Sequence, residues 1–342
     1  MRDETDDNTP ADGARGRRAA DLGLGVGRWQ RGTHNAITDV PGVLVGHTTI
    51  RSEPDVHTGV TAVLPPGIGP RAAVPAGFFA GNGRGKFIGV TQLVELGEIE
   101  SPIVLTATLS AFRAADALVS WMMSDPANDE VLSFNPIVGE CNDGALSDIR
   151  RRPVTEAHVL SALASAAPGP VAEGCVGAGT GTVALGYKAG IGTSSRVVEV
   201  GGHAATVGVL VQANFGGVLR IAGSEMPGTP RGGVLPSHGS CVLVVATDAA
   251  VDARQLTRLA RRSVFGLARV GSAYGHESGD YAIAFGPRPD RPILADTSLS
   301  GLFEATLDAT EEAVLNCLLA AETTRRRDGT VAEALSPDDV LA

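Results

Sequence analysis

Ser240 is the residue with which this chain can do chemistry on its own backbone. It follows Gly239, where a glycine- and proline-rich stretch, residues 222–239, meets the apolar run Cys241 to Thr247. A Gly–Ser bond at such a junction can cleave itself. The serine hydroxyl attacks the preceding carbonyl, the amide becomes an ester, and water releases the ester. Glycine at 239 has no side chain to block the attack and tolerates the dihedrals it demands. The product carries Ser240 as a new N-terminus, whose α-amine titrates near ~7.7–8.0. A hydroxyl and an amine on one residue make a compact nucleophile–base pair. The competing reading is a solvent-exposed serine at the start of a strand, and Ser240 by itself leaves both open.

Other chemistries fail on spacing. Gly85–Lys86 lacks the upstream glycine and the following hydroxyl of a phosphate-binding loop, and no stretch fulfils GxGxxG. His276–Glu277 is not followed by the second histidine of HExxH, and the seven histidines are scattered. No serine sits in GxSxG. No metal or organic cofactor is expected.

The elements that must position Ser240 read as a mixture throughout. Strands are expected at 43–45, 58–65, 207–216, 219–223, 241–247 and 281–285, and within 131–149 a strand followed by a turn. Helices are expected from near Gln92, at 111–123, at 155–166 with Thr155 as cap, at 252–268 and at 302–321. Residues 71–90 read as broken by Pro75 and glycines, and 222–239 as a long exposed loop. Strands fall in adjacent pairs with helices between the pairs. This favours a layered α/β (α+β) domain over a doubly wound parallel sheet.

Composition narrows the class. The chain has 342 residues, enough for a large core without disulfides or metals. Its 44 glycines, about 13%, exceed the usual ~7% without a fixed period, which suits tight turns and close backbone approaches. A net charge of −10 disfavours nucleic acid as a partner. No run is long enough for a membrane span. Four scattered cysteines, Cys141, Cys175, Cys241 and Cys317, with no CxxC pair and no signal peptide, point to the cytoplasm. Residues 1–20 read as a disordered tail, and 21–342 as a single domain.

Many blocks in one order resemble the self-processing aminopeptidase family of the L-aminopeptidase/D-amidase-esterases and β-peptidyl aminopeptidases. They include HNAITDVPGVLVGHTTI at 34–50, PIVGECNDGALSDI at 136–149 and GTGTVALGYKAGIGTSSRV at 179–197. VQANFG at 211–216, HGSCVLVVATDA at 238–249, ESGDYAIAFG at 277–286 and ATEEAVLNCLLAA at 309–321 continue the series. The resemblance implies a four-layer αββα sandwich, similar to the N-terminal nucleophile hydrolases but differently connected. It implies cleavage between Gly239 and Ser240 into fragments 1–239 and 240–342, which stay together. It also implies a homo-oligomer, a tetramer.

Site residues carry over from the same resemblance. Ser240 becomes the nucleophile and Asn214 an oxyanion donor, a role in which an amide NH2 donates without adding charge. Ser278 and Asp280, two apart on an extended segment, share a side and support the nucleophile. Glu140 holds the substrate's ammonium. Read without the resemblance, these are a buried asparagine, a polar turn and a surface glutamate. Some members have a tyrosine two residues after that glutamate, where this chain has Asn142, which replaces it or shapes the pocket. Cleavage one bond later, exposing Cys241, is the alternative, but the blocks align Ser240 and Cys241 reads as an inward strand residue. The expected activity is removal of N-terminal residues from short peptides, amino-acid amides or esters through an acyl-enzyme. An acyltransferase with the same nucleophile, or an unprocessed binding homologue, are the alternatives.

Overall fold

The computed structural model describes residues 17–69, 72–226 and 239–341. In chain order the elements around the site are β1 (Leu44–Ser52), β2 (Val56–Leu64), β3 (Val74–Gly83), β4 (Phe87–Ile88), α1 (Val90–Leu96), β5 (Glu98–Ile99), β6 (Ile103–Ala107), α2 (Ala111–Met123), β7 (Ile137–Cys141) and α3 (Glu156–Ala164). Then come β8 (Val183–Ala184), β9 (Tyr187–Lys188), β10 (Ile191–Val200), β11 (His203–Asn214), the two-residue strands β12 (Arg220–Ile221) and β13 (Ser224–Glu225), β14 (Ser240–Thr247), α4 (Ala253–Gly266), β15 (Gly279–Phe285) and α5 (Ser300–Leu319).

Two sheets form. One has the order β1-β2-β6-β7-β4, the other β10-β11-β14-β15-β3-β5. Each is antiparallel except for one parallel pair, β6 with β7 and β14 with β15. Three apolar layers separate four structural ones. Val60, Val104 and Val138 pack with Ala114 and Leu118 of α2 and Val159 of α3 outside the first sheet. Ile103, Leu105 and Ile137 meet Leu210, Val242, Val244 and Ile283 between the sheets. Leu243 and Val245 meet Leu256 and Leu259 of α4 and Ala309 and Ala313 of α5 outside the second. The result is the expected αββα sandwich.

Local sequence explains the parts. β14 is buried along its whole length because it has a helix layer on one face and a sheet on the other, so its run is apolar without alternation. α4 starts at Asp252, whose carboxylate accepts from Gln255 N at 2.7 Å while Gln255 Oε1 accepts from Asp252 N at 3.2 Å. Its Leu256, Leu259, Ala260 and Val264 face inward.

Three expectations change. Residues 71–90 contain a ten-residue strand, β3, instead of a broken stretch. The strand expected at 219–223 shrinks to β12. Of the tail expected at 1–20, residues 1–16 lie outside the described residues, but Arg18 and Ala19 are packed. Arg18 pairs with Glu173 at 2.7 Å, and buried Ala19 donates its N–H to Asn316 Oδ1 at 3.0 Å. The loop expected at 222–239 lies mostly outside the described residues, from 227 to 238.

Candidate active site

The strand register assembles the site. Ser240 is the first residue of β14 and lies opposite Asn214, the last of β11. On its other side it lies opposite Gly279, the first of β15, one residue before Asp280. From the facing sheet, β7 delivers Glu140 at its end, opposite Thr106. Glu140, Asn214, Ser240, Ser278 and Asp280 are all buried. Every expected site residue therefore converges on one end of the paired sheets.

Two donors face the serine. The backbone N–H of Asn142 points to Ser240 Oγ at 3.3 Å, and Asn214 Nδ2 does so at 3.4 Å. Asn214 is fixed by both ends of its amide. Its Nδ2 also donates to Asn142 O at 3.0 Å, and its Oδ1 accepts from Val183 N at 3.1 Å. The Asn142 side chain is turned away into its own loop, where its Oδ1 accepts from Gly144 N at 3.0 Å. Position 142 thus meets Ser240 with its main-chain N–H, which any residue type but proline can supply.

The bond before Ser240 has its own partners. Gly239 O accepts from Gly279 N at 3.1 Å. A Cβ at Gly239 would stand 3.2 Å from Ser278 Oγ, so the hydroxyl lies directly against this residue. Ser278 Oγ donates to Asp280 Oδ1 at 2.7 Å. Burial pushes the Asp280 carboxyl above its ordinary range, and the Ser278 hydrogen bond opposes the shift. Burial also holds the thiols of Cys141 and Cys241 protonated, well above their ordinary value. Cys241 is fully buried, as expected of an inward strand residue.

Glu140 opens onto a cavity of about 380 Å³ lined also by Arg84, Lys86, Thr108, Asn142, Gly239 and Ser240. Its Oε1 accepts from Lys86 N at 2.9 Å and lies 3.3 Å from Lys86 Nζ. Lys86 Nζ also donates to Thr108 Oγ1 at 2.6 Å. Sequence reasoning missed Lys86, because it was weighed only as part of a phosphate loop. A larger cavity of about 590 Å³ is lined by Arg18, His34, Arg51, Glu173 and Cys175 and contains none of the expected site residues.

A four-layer αββα fold with a serine heading a central strand, facing an amide and a main-chain N–H, defines a serine hydrolase of the N-terminal nucleophile kind. The chain belongs to peptidase family S58, whose model matches residues 35–332. It is 39% identical to the β-peptidyl aminopeptidase BapA of Sphingosinicella microcystinivorans over 367 aligned positions, covering 96% of this chain and 92% of that one. The structure of the L-aminopeptidase D-Ala-esterase/amidase from Ochrobactrum anthropi, a serine aminopeptidase with a variant Ntn hydrolase fold, superposes with a TM-score of 0.88. That pair shares 38% identity over 94% of this chain and 96% of the other. A Burkholderia β-aminopeptidase superposes with a TM-score of 0.87 at 38% identity over 95% and 97% of the two chains.

Proposed function

We propose that this chain is a self-processing serine aminopeptidase that releases the N-terminal residue from short peptides, amino-acid amides or esters. In the precursor, Ser240 Oγ attacks the Gly239 carbonyl carbon. The Gly279 N–H, already on Gly239 O, stabilises the developing oxyanion. Ser278 takes the hydroxyl proton while its own passes to Asp280, and the same relay run backwards protonates the Ser240 nitrogen. The Gly239–Ser240 C–N bond breaks, the nitrogen leaves as the Ser240 amine, and an ester remains on Oγ. Water then hydrolyses this ester to the Gly239 carboxylate and the free hydroxyl.

In the mature form the Ser240 amine accepts the proton of its own hydroxyl as Oγ attacks the substrate carbonyl. The resulting oxyanion lies between Asn142 N–H and Asn214 Nδ2. The ammonium formed on Ser240 protonates the leaving amine, and the acyl group stays on Oγ until water displaces it. Asp280, behind Ser278, balances the positive charge that the amine carries in each half-reaction. Glu140 holds the substrate ammonium in the place where Lys86 Nζ now reaches, so Lys86 must yield to the substrate.

The convergence of Asn142 N–H and Asn214 Nδ2 on Ser240 Oγ, in a cavity shared with Glu140, is the observation that supports this reading. The cytoplasm remains the proposed compartment, supported by four free, buried cysteines. Among the described residues no helix is long and apolar enough to cross a membrane. A tetramer is the proposed assembly, on the family resemblance, and light scattering tests it. The decisive experiment is intact mass spectrometry with N-terminal sequencing. The wild type is expected as fragments 1–239 and 240–342. Ser240→Ala is expected as one 34.9-kDa chain without amidase activity. A Ser240→Ala protein that still splits overturns the reading.

A further inference from the structure

A second recess adjoins the cavity at Ser240. It measures about 380 Å³ and is lined by Phe78, Phe87, Ile88, Val90, Phe112 and Tyr281. It meets the first cavity at Gly85 and Lys86, which line both. Its walls are preorganised. Phe78 lies 4.9 Å from Phe87 and 6.0 Å from Tyr281, ring centre to ring centre, and Phe87 lies 5.9 Å from Tyr281. Burial, with the nearby charges of Glu140 and Asp280, pushes the Tyr281 phenol up to about 12, so this wall stays neutral.

The junction between the cavities is built around Glu140. Lys86 holds its Oε1 through both N–H and Nζ. A Cβ at Gly85 would lie 2.9 Å from Glu140 Oε1 and 3.3 Å from Tyr281 Oη. Glycine at this position therefore leaves the passage between carboxylate and aromatic wall open. The recess touches the first cavity on the Glu140 side and not through Gly239, Ser240 or Asn142.

We propose that this recess is the specificity pocket for the side chain of the substrate's N-terminal residue, and that it selects apolar side chains, aromatic ones included. The inference rests on Glu140 holding the substrate ammonium as described above. A side chain branching beside that ammonium, with the carbonyl over Ser240, points past Gly85 into the aromatic recess. The departing part of the substrate extends from the carbonyl, away from Glu140, and does not reach it. The recess offers a lysine-type side chain no carboxylate of its own, and Lys86 at its mouth repels that charge. A glycine-type residue leaves the pocket unfilled and forgoes its apolar contacts. Filling such a pocket is worth about 10- to 200-fold in kcat/KM.

The test uses p-nitroanilides of glycine-, alanine-, leucine-, phenylalanine-, lysine- and glutamate-type residues, in L-α, D-α and β series, with the processed enzyme. Within the accepted series, leucine and phenylalanine types are expected to exceed the glycine type by about 10- to 200-fold and the lysine type by at least as much. Phe112 is 68% exposed, so Phe112→Ala spares the core and is expected to lower the phenylalanine-to-glycine ratio about tenfold. Val90→Trp fills the recess and is expected to lower the same ratio. If lysine or glycine types are preferred, or both variants leave the ratio where it was, the pocket assignment is overturned while the aminopeptidase stands. If no member of the series is split, the reading of the site falls and the pocket with it.

Discussion

Asn214→Ala separates the two reactions assigned to Ser240. The asparagine is 1% exposed and makes three contacts, from Nδ2 to Ser240 Oγ and Asn142 O and from Val183 N to its Oδ1. Loss of one preformed oxyanion donor costs about 2.7–4 kcal/mol of transition-state stabilisation, a fall of about 10²–10³ in kcat. Truncation also strands the buried Val183 N–H, at about 1–3 kcal/mol of stability. Self-cleavage is different, because its oxyanion is Gly239 O, which the Gly279 N–H holds at 3.1 Å. The variant is therefore expected to cut itself into two fragments and then turn over amide substrates about 10²–10³ times more slowly. The assay is a denaturing gel first, then steady-state kinetics on the processed fraction, with thermal unfolding to register the stability loss. Two results refute the reasoning. A processed variant whose kcat falls less than tenfold has lost no oxyanion donor. A folded variant that stays uncut shows that both reactions share the asparagine.

Glu140→Gln is expected to raise KM about 10- to 100-fold by removing a charge-assisted contact to the ammonium; equal losses for N-acetylated and free-amine esters would oppose that role. Gly239→Val places branched carbons against Ser278 Oγ, within 3.2 Å of the missing Cβ, and uncut chain is expected to accumulate on a gel. Burial pushes Asp143 up from 3.8 to about 7, so the unfolded chain ionises first and folding stability falls as pH rises from about 4 to about 7. The loss is bounded at about 4 kcal/mol. Asp143→Asn is expected to flatten that part of the stability curve, and parallel urea-unfolding curves for variant and wild type across pH 5–8 would contradict the assignment.

Much of the fold was legible because the core strands are long apolar runs. Cys241 to Thr247 reads as a buried strand and is one, and residues 111–123 form the helix their periodicity demands. β3 was illegible for a physical reason. A Cβ at Gly77 would lie 2.1 Å from Thr257 N, so this glycine lets α4 lie directly on the strand. In the sequence the same residue looks like a breaker. Site legibility followed the same divide. Ser240 was legible from its hydroxyl and its place in the chain, Asn214, Ser278, Asp280 and Glu140 came from the family resemblance, and the strand register brings all five to one locus. Main-chain chemistry was invisible, since the N–H groups of Asn142 and Gly279 owe their positions to strand register and not to residue type. Lys86 escaped because only the pairing of β4 with β7 brings it to Glu140, 54 residues away in the chain.

The position of β14 bears on how such an enzyme ages. It is laddered to β11 on one side and to β15 on the other, and β15 is laddered in turn to β3. A cut before Ser240 would therefore leave the β14–β15 pair of the second piece clasped between β11 and β3 of the first, with a ladder on both edges. Once denatured, however, the halves would have to find one another by diffusion, and recovery would become second order in protein. The proposed maturation makes folding a once-only event. The finished molecule would owe its lifetime to a slow escape rate, and dilution after unfolding would erase it.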